Sequence, residues 1–194
     1  MKAIKPGSVI LIPKENTMGF YTILNDLVEK QFGDNQVAKF VAKLLIDQFS
    51  KVIRHNYMHA ELYLKNGWQI GAWLNGVHTW HPPLSYYTSV HIYEPTFEFD
   101  EKKFFEAVKK YKESKYDFAS LVLNTIVEVW ALGSDVTESS LEDAFAKYYK
   151  NEDQLICSEL VGRVYKDLGI QIERDPEYLT PDDIAQSPLF RRVY

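Results

Sequence analysis

Apolar and polar residues alternate between Tyr57 and Leu64, which predicts a β-strand rather than a helix. One face would carry Met58, Ala60, Leu62 and Leu64, and the other Tyr57, His59, Glu61 and Tyr63. Asn66-Gly67 follows, a dipeptide typical of a two-residue hairpin turn, and Trp68–Trp73 is then the returning strand. We therefore expect a half-buried hairpin whose first strand directs His59 toward a cleft.

Helical spacing dominates elsewhere. It predicts two helices between about 22 and 51, two more from about 104 and from about 118, and a last helix that begins near Cys157 and ends at Gly169. Shorter strands are expected at 8–13, 76–80 and 89–93. Thr180 would cap a further helix with Pro181 at its first position. This order predicts an α+β fold, with an antiparallel sheet packed against helices, and not a parallel doubly wound sheet.

Length and composition narrow the class of protein. The chain has 194 residues, 46% hydrophobic and 25% charged, and shows no repeat or linker, so a single domain over 1–194 is expected. The formal net charge of -5 argues against nucleic acid as a partner. No signal peptide is visible, and the most apolar stretch, Phe118–Leu132, is shorter than the roughly 20 residues that cross a bilayer. We expect a cytoplasmic protein without stable membrane insertion.

Cys157 is the single cysteine, so an intramolecular disulfide is excluded. It falls at the start of an apolar-faced helix, where unpaired N–H groups and the helix dipole stabilise a thiolate. The same N–H groups can hold an oxyanion during acyl transfer. The alternative is a buried cysteine that acts as a small apolar residue.

His59 is the best candidate for a base beside such a nucleophile, because a strand holds it rigidly and its face is polar. An ordinary hydrogen-bonded histidine is the alternative. A different use of the histidines would be zinc binding, through His55 with His59 and His78 with His81. The first pair would need a helix through Met58, where the alternation predicts strand, and no carboxylate motif accompanies either pair. We therefore expect neither a metal site nor a cofactor.

The order of these motifs resembles the circularly permuted branch of the NlpC-type papain-like cysteine peptidase superfamily, most closely its YiiX-like members. The match is carried by Lys5-Pro-Gly-Ser-Val-Ile-Leu-Ile, Tyr57-Met-His-Ala-Glu-Leu-Tyr-Leu-Lys-Asn-Gly, Tyr116-Asp-Phe, Cys157-Ser-Glu-Leu-Val and Leu179-Thr-Pro-Asp-Asp-Ile-Ala-Gln-Ser-Pro-Leu-Phe. They resemble the family's opening strand, histidine strand, pre-helical "Y-D-F", nucleophile helix and closing segment. The resemblance implies a permuted papain-like fold with Cys157 as nucleophile and His59 as base.

One position departs from this family. A third polar residue usually orients the histidine from the returning strand, twelve residues after it, and here that position is Gly71. Glu61 lies on the same strand face as His59 and is one substitute. Asn75 would lie across from the histidine if the hairpin carried a bulge, and Gln69 is a third option. The sequence leaves the orienting residue open among these three.

The resemblance implies a cysteine-dependent hydrolase that cleaves an amide bond, in a peptide or cell-wall fragment, through an acyl-enzyme. Permuted relatives also transfer lipid acyl groups, and Tyr57, Tyr63, Trp73 and Trp80 could line an acyl site or belong to the core. An acyl transferase or a lipid or ester hydrolase is therefore an alternative. A catalytically inactive binding protein is another, because Gly71 cannot orient an imidazole.

Overall fold

The computed structural model describes residues 3–14, 56–73, 76–83, 86, 89–117 and 154–194. The chain divides into two compact units, and the described residues all belong to the one formed by 1–16, 55–117 and 151–194. The other unit, 17–54 and 118–150, lies outside the described residues. The helices expected between 22 and 51 and from about 118 fall there, so the single domain over 1–194 stays a prediction.

The described segments contain strands, three helices and one short 3-10 helix. In chain order these are β1 (Val9–Pro13), β2 (Tyr57–Lys65), β3 (Trp68–Trp73), β4 (Gly76–Trp80), β5 (His91–Pro95), α1 (Glu101–Tyr111), β6 (Lys115–Tyr116), β7 (Gln154–Leu155), α2 (Cys157–Asp167), the 3-10 helix (Pro176–Tyr178), α3 (Pro181–Gln186) and β8 (Phe190–Arg192). The expected strand at 89–93 forms two residues later, as β5.

Six of the strands form one sheet in the order β4-β3-β2-β1-β5-β8, and each neighbouring pair is antiparallel. Strands β6 and β7 form a separate parallel pair. The fold is therefore α+β with an antiparallel sheet, as the order of elements predicted.

The β2–β3 hairpin has the turn that Asn66-Gly67 predicted. Asn66 and Gly67 have φ angles of 52° and 83°, the left-handed conformation that a two-residue hairpin turn requires at both positions. The register shifts between Tyr63 and Lys65, and this irregularity places Glu61 directly opposite Gly71. The two residues at this position therefore point to the same face of the sheet.

The main core lies between the sheet and helices α1 and α2. Its members include Val9, Leu11, Ala60, Leu62, Ile70, Phe104, Val108, Leu160, Val161, Val164 and Tyr165. A second, smaller cluster consists of Ile10, Tyr63, Val90 and Ile92. Strand β2 is buried on both faces and not half-buried as expected, because Trp73 packs on His59, and Trp80 and Tyr86 contact Glu61, on the face that carries the histidine.

Asp182, in the first turn of α3, fixes the beginning of strand β2. Its buried carboxylate accepts hydrogen bonds from the backbone N–H of Asn56 at 3.0 Å, the Asn56 side-chain amide at 2.9 Å and the backbone N–H of Tyr57 at 3.3 Å. Helix α3 has the expected start, since Thr180 Oγ1 accepts the N–H of Asp183 and Pro181 is the first helical residue. The end of the chain thus anchors the strand that carries His59.

We expect Asp182→Ala to lower the free energy of unfolding by about 3 kcal/mol, because it leaves buried N–H donors without their charged acceptor. Urea denaturation would measure this change. Glu173→Ala, at an exposed position in the preceding loop, is the control and should stay within about 0.5 kcal/mol of the wild type. Equal stability of the two variants would contradict the anchoring role.

Candidate functional site

Strand β2 holds His59 in the interior, with only 2% of the residue exposed. The indole of Trp73, at the end of β3, packs against the imidazole with ring centroids 4.1 Å apart and planes inclined by 41°. The packing therefore restricts the orientation of the His59 ring.

Cys157 is the first residue of helix α2 and is 8% exposed. The helix starts here because Ile156 adopts an extended conformation and the side chain of Glu159 accepts its backbone N–H at 3.3 Å. The backbone N–H groups of Ala60 and Ser158 donate hydrogen bonds to the sulfur. A helix terminus and a strand backbone thus converge on one thiol.

The structure brings Cys157 and His59 together, and their side chains are hydrogen-bonded. Burial alone would lower the pKa of the imidazole, but the charge and hydrogen bond of Cys157, followed by the carboxylate of Glu61, raise it to about 9. Burial alone would also raise the pKa of the thiol. The charge and hydrogen bond of His59, together with the two backbone N–H groups, lower it instead. The arrangement therefore favours a thiolate–imidazolium pair.

Glu61 lies beside this pair and is completely buried. Its Oε1 atom is 3.5 Å from Nε2 of His59 and accepts a hydrogen bond from the Trp80 indole N–H at 3.0 Å. Its Oε2 atom accepts from the hydroxyl of Tyr86, also at 3.0 Å. Of the three candidates for an orienting residue, Glu61 is placed next to the histidine.

The other two candidates have different positions. Gln69 is buried in β3 opposite Tyr63 and Trp80, and the pair Leu62–Ile70 separates it from Glu61 and Gly71. Asn75 lies outside the described residues.

The histidines considered for zinc do not converge in the described segments. His59 is on a strand, His78 contacts the carbonyl of Gly76 and His81 contacts the carbonyl of Asn66, while His55 is not described. Among the residues that the structure describes, no three His, Cys, Asp or Glu side chains are grouped so as to hold a metal ion.

Tyr116 is a neighbour of the thiol that the sequence reasoning did not assign to the site. It pairs with Leu155 in the β6–β7 ladder, two residues before Cys157. Burial, then the negative charges of Cys157 and Asp117, raise the pKa of its hydroxyl well above the ordinary value. Tyr116-Asp-Phe contributes to the family resemblance, but two-residue strands leave no periodic pattern that would predict the electrostatic interaction of Tyr116 with Cys157.

The four aromatic residues considered for an acyl site separate into two groups. Tyr57 and Tyr63 belong to the two core clusters. Trp73 and Trp80 are partly exposed and pack edge to face at 5.8 Å, and Tyr86 continues the row at 5.1 Å from Trp80. We call Trp73, Trp80 and Tyr86 the aromatic row, which begins at the His59 ring.

Comparisons with protein-family models, curated proteins and solved structures found no match to this chain. A search of the described helices found none with the length and apolar composition needed to span a bilayer.

We expect iodoacetamide to alkylate Cys157 readily below pH 8, where an ordinary thiol with a pKa of about 8.5 is mostly protonated. As the pH falls through the lowered pKa of Cys157, the thiolate is protonated and the rate declines. His59→Ala removes the main cause of the lowered thiol pKa and should shift the rate–pH profile to higher pH. An unreactive thiol, or a pH profile that is the same in the wild type and His59→Ala, would contradict the coupling of Cys157 and His59.

Proposed function

We propose that this chain is a cysteine-dependent hydrolase of the permuted papain-like type that acts on an amide bond in a peptide or cell-wall peptide. The observation that supports the proposal most directly is the buried, hydrogen-bonded Cys157–His59 pair at a helix N-terminus. A buried pair of opposite charges costs desolvation energy, and groups with strongly shifted pKa values cluster at functional sites. A structural role alone gives no reason to place a thiol and an imidazole in this way.

The first half of the reaction forms an acyl-enzyme. The Cys157 thiolate attacks the carbonyl carbon, a C–S bond forms, and the carbonyl oxygen becomes an oxyanion. The N–H groups of the first turn of α2 would stabilise this oxyanion, and the hydroxyl of Tyr116, which interacts electrostatically with Cys157, would be a further donor. When the tetrahedral intermediate collapses, the C–N bond breaks and the His59 imidazolium gives its proton to the leaving amine.

The second half regenerates the thiolate. Neutral His59 takes a proton from a water molecule, whose oxygen attacks the thioester carbonyl. Collapse of this intermediate breaks the C–S bond and releases the carboxylic acid. His59 keeps the proton, so the thiolate–imidazolium pair is restored and the enzyme is unchanged after one cycle.

The aromatic row supports a second candidate within the same chemistry. Its partly exposed rings begin at His59, and an apolar surface beside the nucleophile suits a fatty acyl group better than a charged peptide. An ester or lipid hydrolase, or an acyl transferase in which another acceptor replaces water, would use Cys157 and His59 in the same roles.

We expect Cys157→Ser to lower turnover of a responsive substrate by about 10⁴-fold, since loss of a nucleophile removes most of the rate enhancement. The screen would offer peptide amides and fatty acyl esters to the wild type, with intact-mass spectrometry to detect an acyl group on the protein. Circular dichroism of the variant should match the wild type. A substrate that Cys157→Ser turns over at the wild-type rate would contradict the nucleophile.

We also expect turnover to depend on pH on both sides of neutrality. It should fall at low pH as the Cys157 thiolate is protonated, and again above about pH 9 as His59 loses the proton that the leaving group needs. Alkylation of Cys157 requires only the thiolate and should show no upper decline. A turnover profile that keeps rising past pH 10 would contradict His59 as the general acid.

A further inference from the structure

The cross-strand pair Glu61–Gly71 forms a unit in which one residue supplies a carboxylate and the other supplies the space for it. Glu61 is on β2, Gly71 is directly opposite on β3, and both positions point to the face that carries His59. The backbone of Gly71 needs no left-handed conformation, because its φ lies outside that region. Glycine is required here for another reason: neighbouring side chains leave no space for a Cβ atom.

The side chains of Glu61 and Trp73 occupy the space next to the Cα atom of Gly71. A Cβ atom at this position would lie 3.1 Å from both Cγ and Oε1 of Glu61 and 2.9 Å from the indole nitrogen of Trp73. These distances are shorter than ordinary carbon contacts of 3.5–4.0 Å. Any side chain at position 71 would therefore displace the carboxylate that faces His59, the indole that packs on it, or both.

The carboxylate itself is held by donors other than His59. Trp80 and Tyr86 donate to Oε1 and Oε2, so neither oxygen depends on the histidine for its position. Oε1 remains 3.5 Å from Nε2 of His59, on a fully buried residue. A carboxylate held in this way by other donors can fix the orientation and charge of an imidazole rather than follow it.

We infer that Glu61 is the positioning residue of this site, and that Gly71 is the complementary residue that allows a carboxylate from the histidine's own strand to reach Nε2. With Nε2 engaged by Glu61, the Nδ1 atom is the one that exchanges its proton with Cys157. This inference rests on the proposed function, since it assigns to Glu61 the role of keeping His59 charged and aligned.

The experiment measures the pH profile of Cys157 alkylation and the rate of turnover in three variants. Glu61→Gln keeps the size of the side chain but removes its charge. It should shift the alkylation profile to higher pH and reduce turnover about tenfold or more. Gly71→Ala keeps the charge but crowds the carboxylate, and should change both quantities in the same direction by a smaller factor. Tyr116 and Cys157, the other titratable neighbours, are unchanged in these variants.

Asp167→Asn is the matched control. It also replaces a hydrogen-bonded carboxylate by an amide, but at the end of α2 that is remote from Cys157, where Asp167 accepts hydrogen bonds from Lys110 and Tyr111. It should leave the pH dependence of alkylation unchanged. If Glu61 were only a structural residue, Glu61→Gln would lower thermal stability and leave the pH dependence of alkylation as unchanged as Asp167→Asn does, which would overturn the inference.

Two results separate this inference from the proposed function. A wild-type thiol that does not react below pH 8 would overturn both. A reactive thiol whose profile is the same in the wild type and Glu61→Gln would overturn the positioning role alone. If Glu61→Gln does not fold, Gly71→Ala decides: a shifted alkylation profile supports the inference and an unshifted one overturns it.

Discussion

The contact between the first residue of α2 and the backbone of β2 determines the rest of the described site. Backbone N–H groups of a strand lie close to the plane of its sheet, so a sulfur that accepts the N–H of Ala60 lies beside the backbone of β2. His59 is the residue before Ala60, and its ring is therefore brought to the same sulfur. Helix α2 and strand β2 are far apart in the sequence, and separate contacts hold each of them in place. Asp182 binds the start of β2, and the β6–β7 pair positions the residues just before Cys157.

Charge alternates through the site, and this makes its burial tolerable. A thiolate at Cys157, an imidazolium at His59 and a carboxylate at Glu61 place each positive group between negative ones, while backbone N–H groups and the Trp80 and Tyr86 donors satisfy the outer anions. An isolated charge in this environment would be neutralised by a shift of its pKa. The thiolate and the imidazolium instead stabilise each other, which explains why the pKa of His59 rises although burial opposes it.

The sequence predicted the features that short segments determine. Alternation identified β2, Asn66-Gly67 identified the turn, and the apolar spacing after Cys157 identified α2 with Gly169 at its end. It could not predict the β2–β3 register, because the irregularity between Tyr63 and Lys65 has no residue signal and shifts every cross-strand pair beyond it. It also missed Tyr116, whose approach to Cys157 requires two very short strands to pair across a long interval of chain. Burial of the His59 face was missed as well, because the side chains that pack there, Trp73, Trp80 and Tyr86, come from other parts of the sequence.

The β2–β3 register explains why residue 71 is a glycine, which its position in the sequence alone does not. Counted along the chain, a glycine twelve residues after the histidine suggests a lost function, since it has no group that could contact an imidazole. Placed opposite Glu61, the same glycine is the neighbour that a buried carboxylate on β2 needs, because a Cβ atom at position 71 would lie only 3.1 Å from Cγ and Oε1 of Glu61. In a close-packed interior, one small volume beside His59 can be filled from either strand but not from both. The absence of a side chain on one strand and the presence of a carboxylate on the other are therefore a single feature of the packing, and neither residue can be interpreted alone.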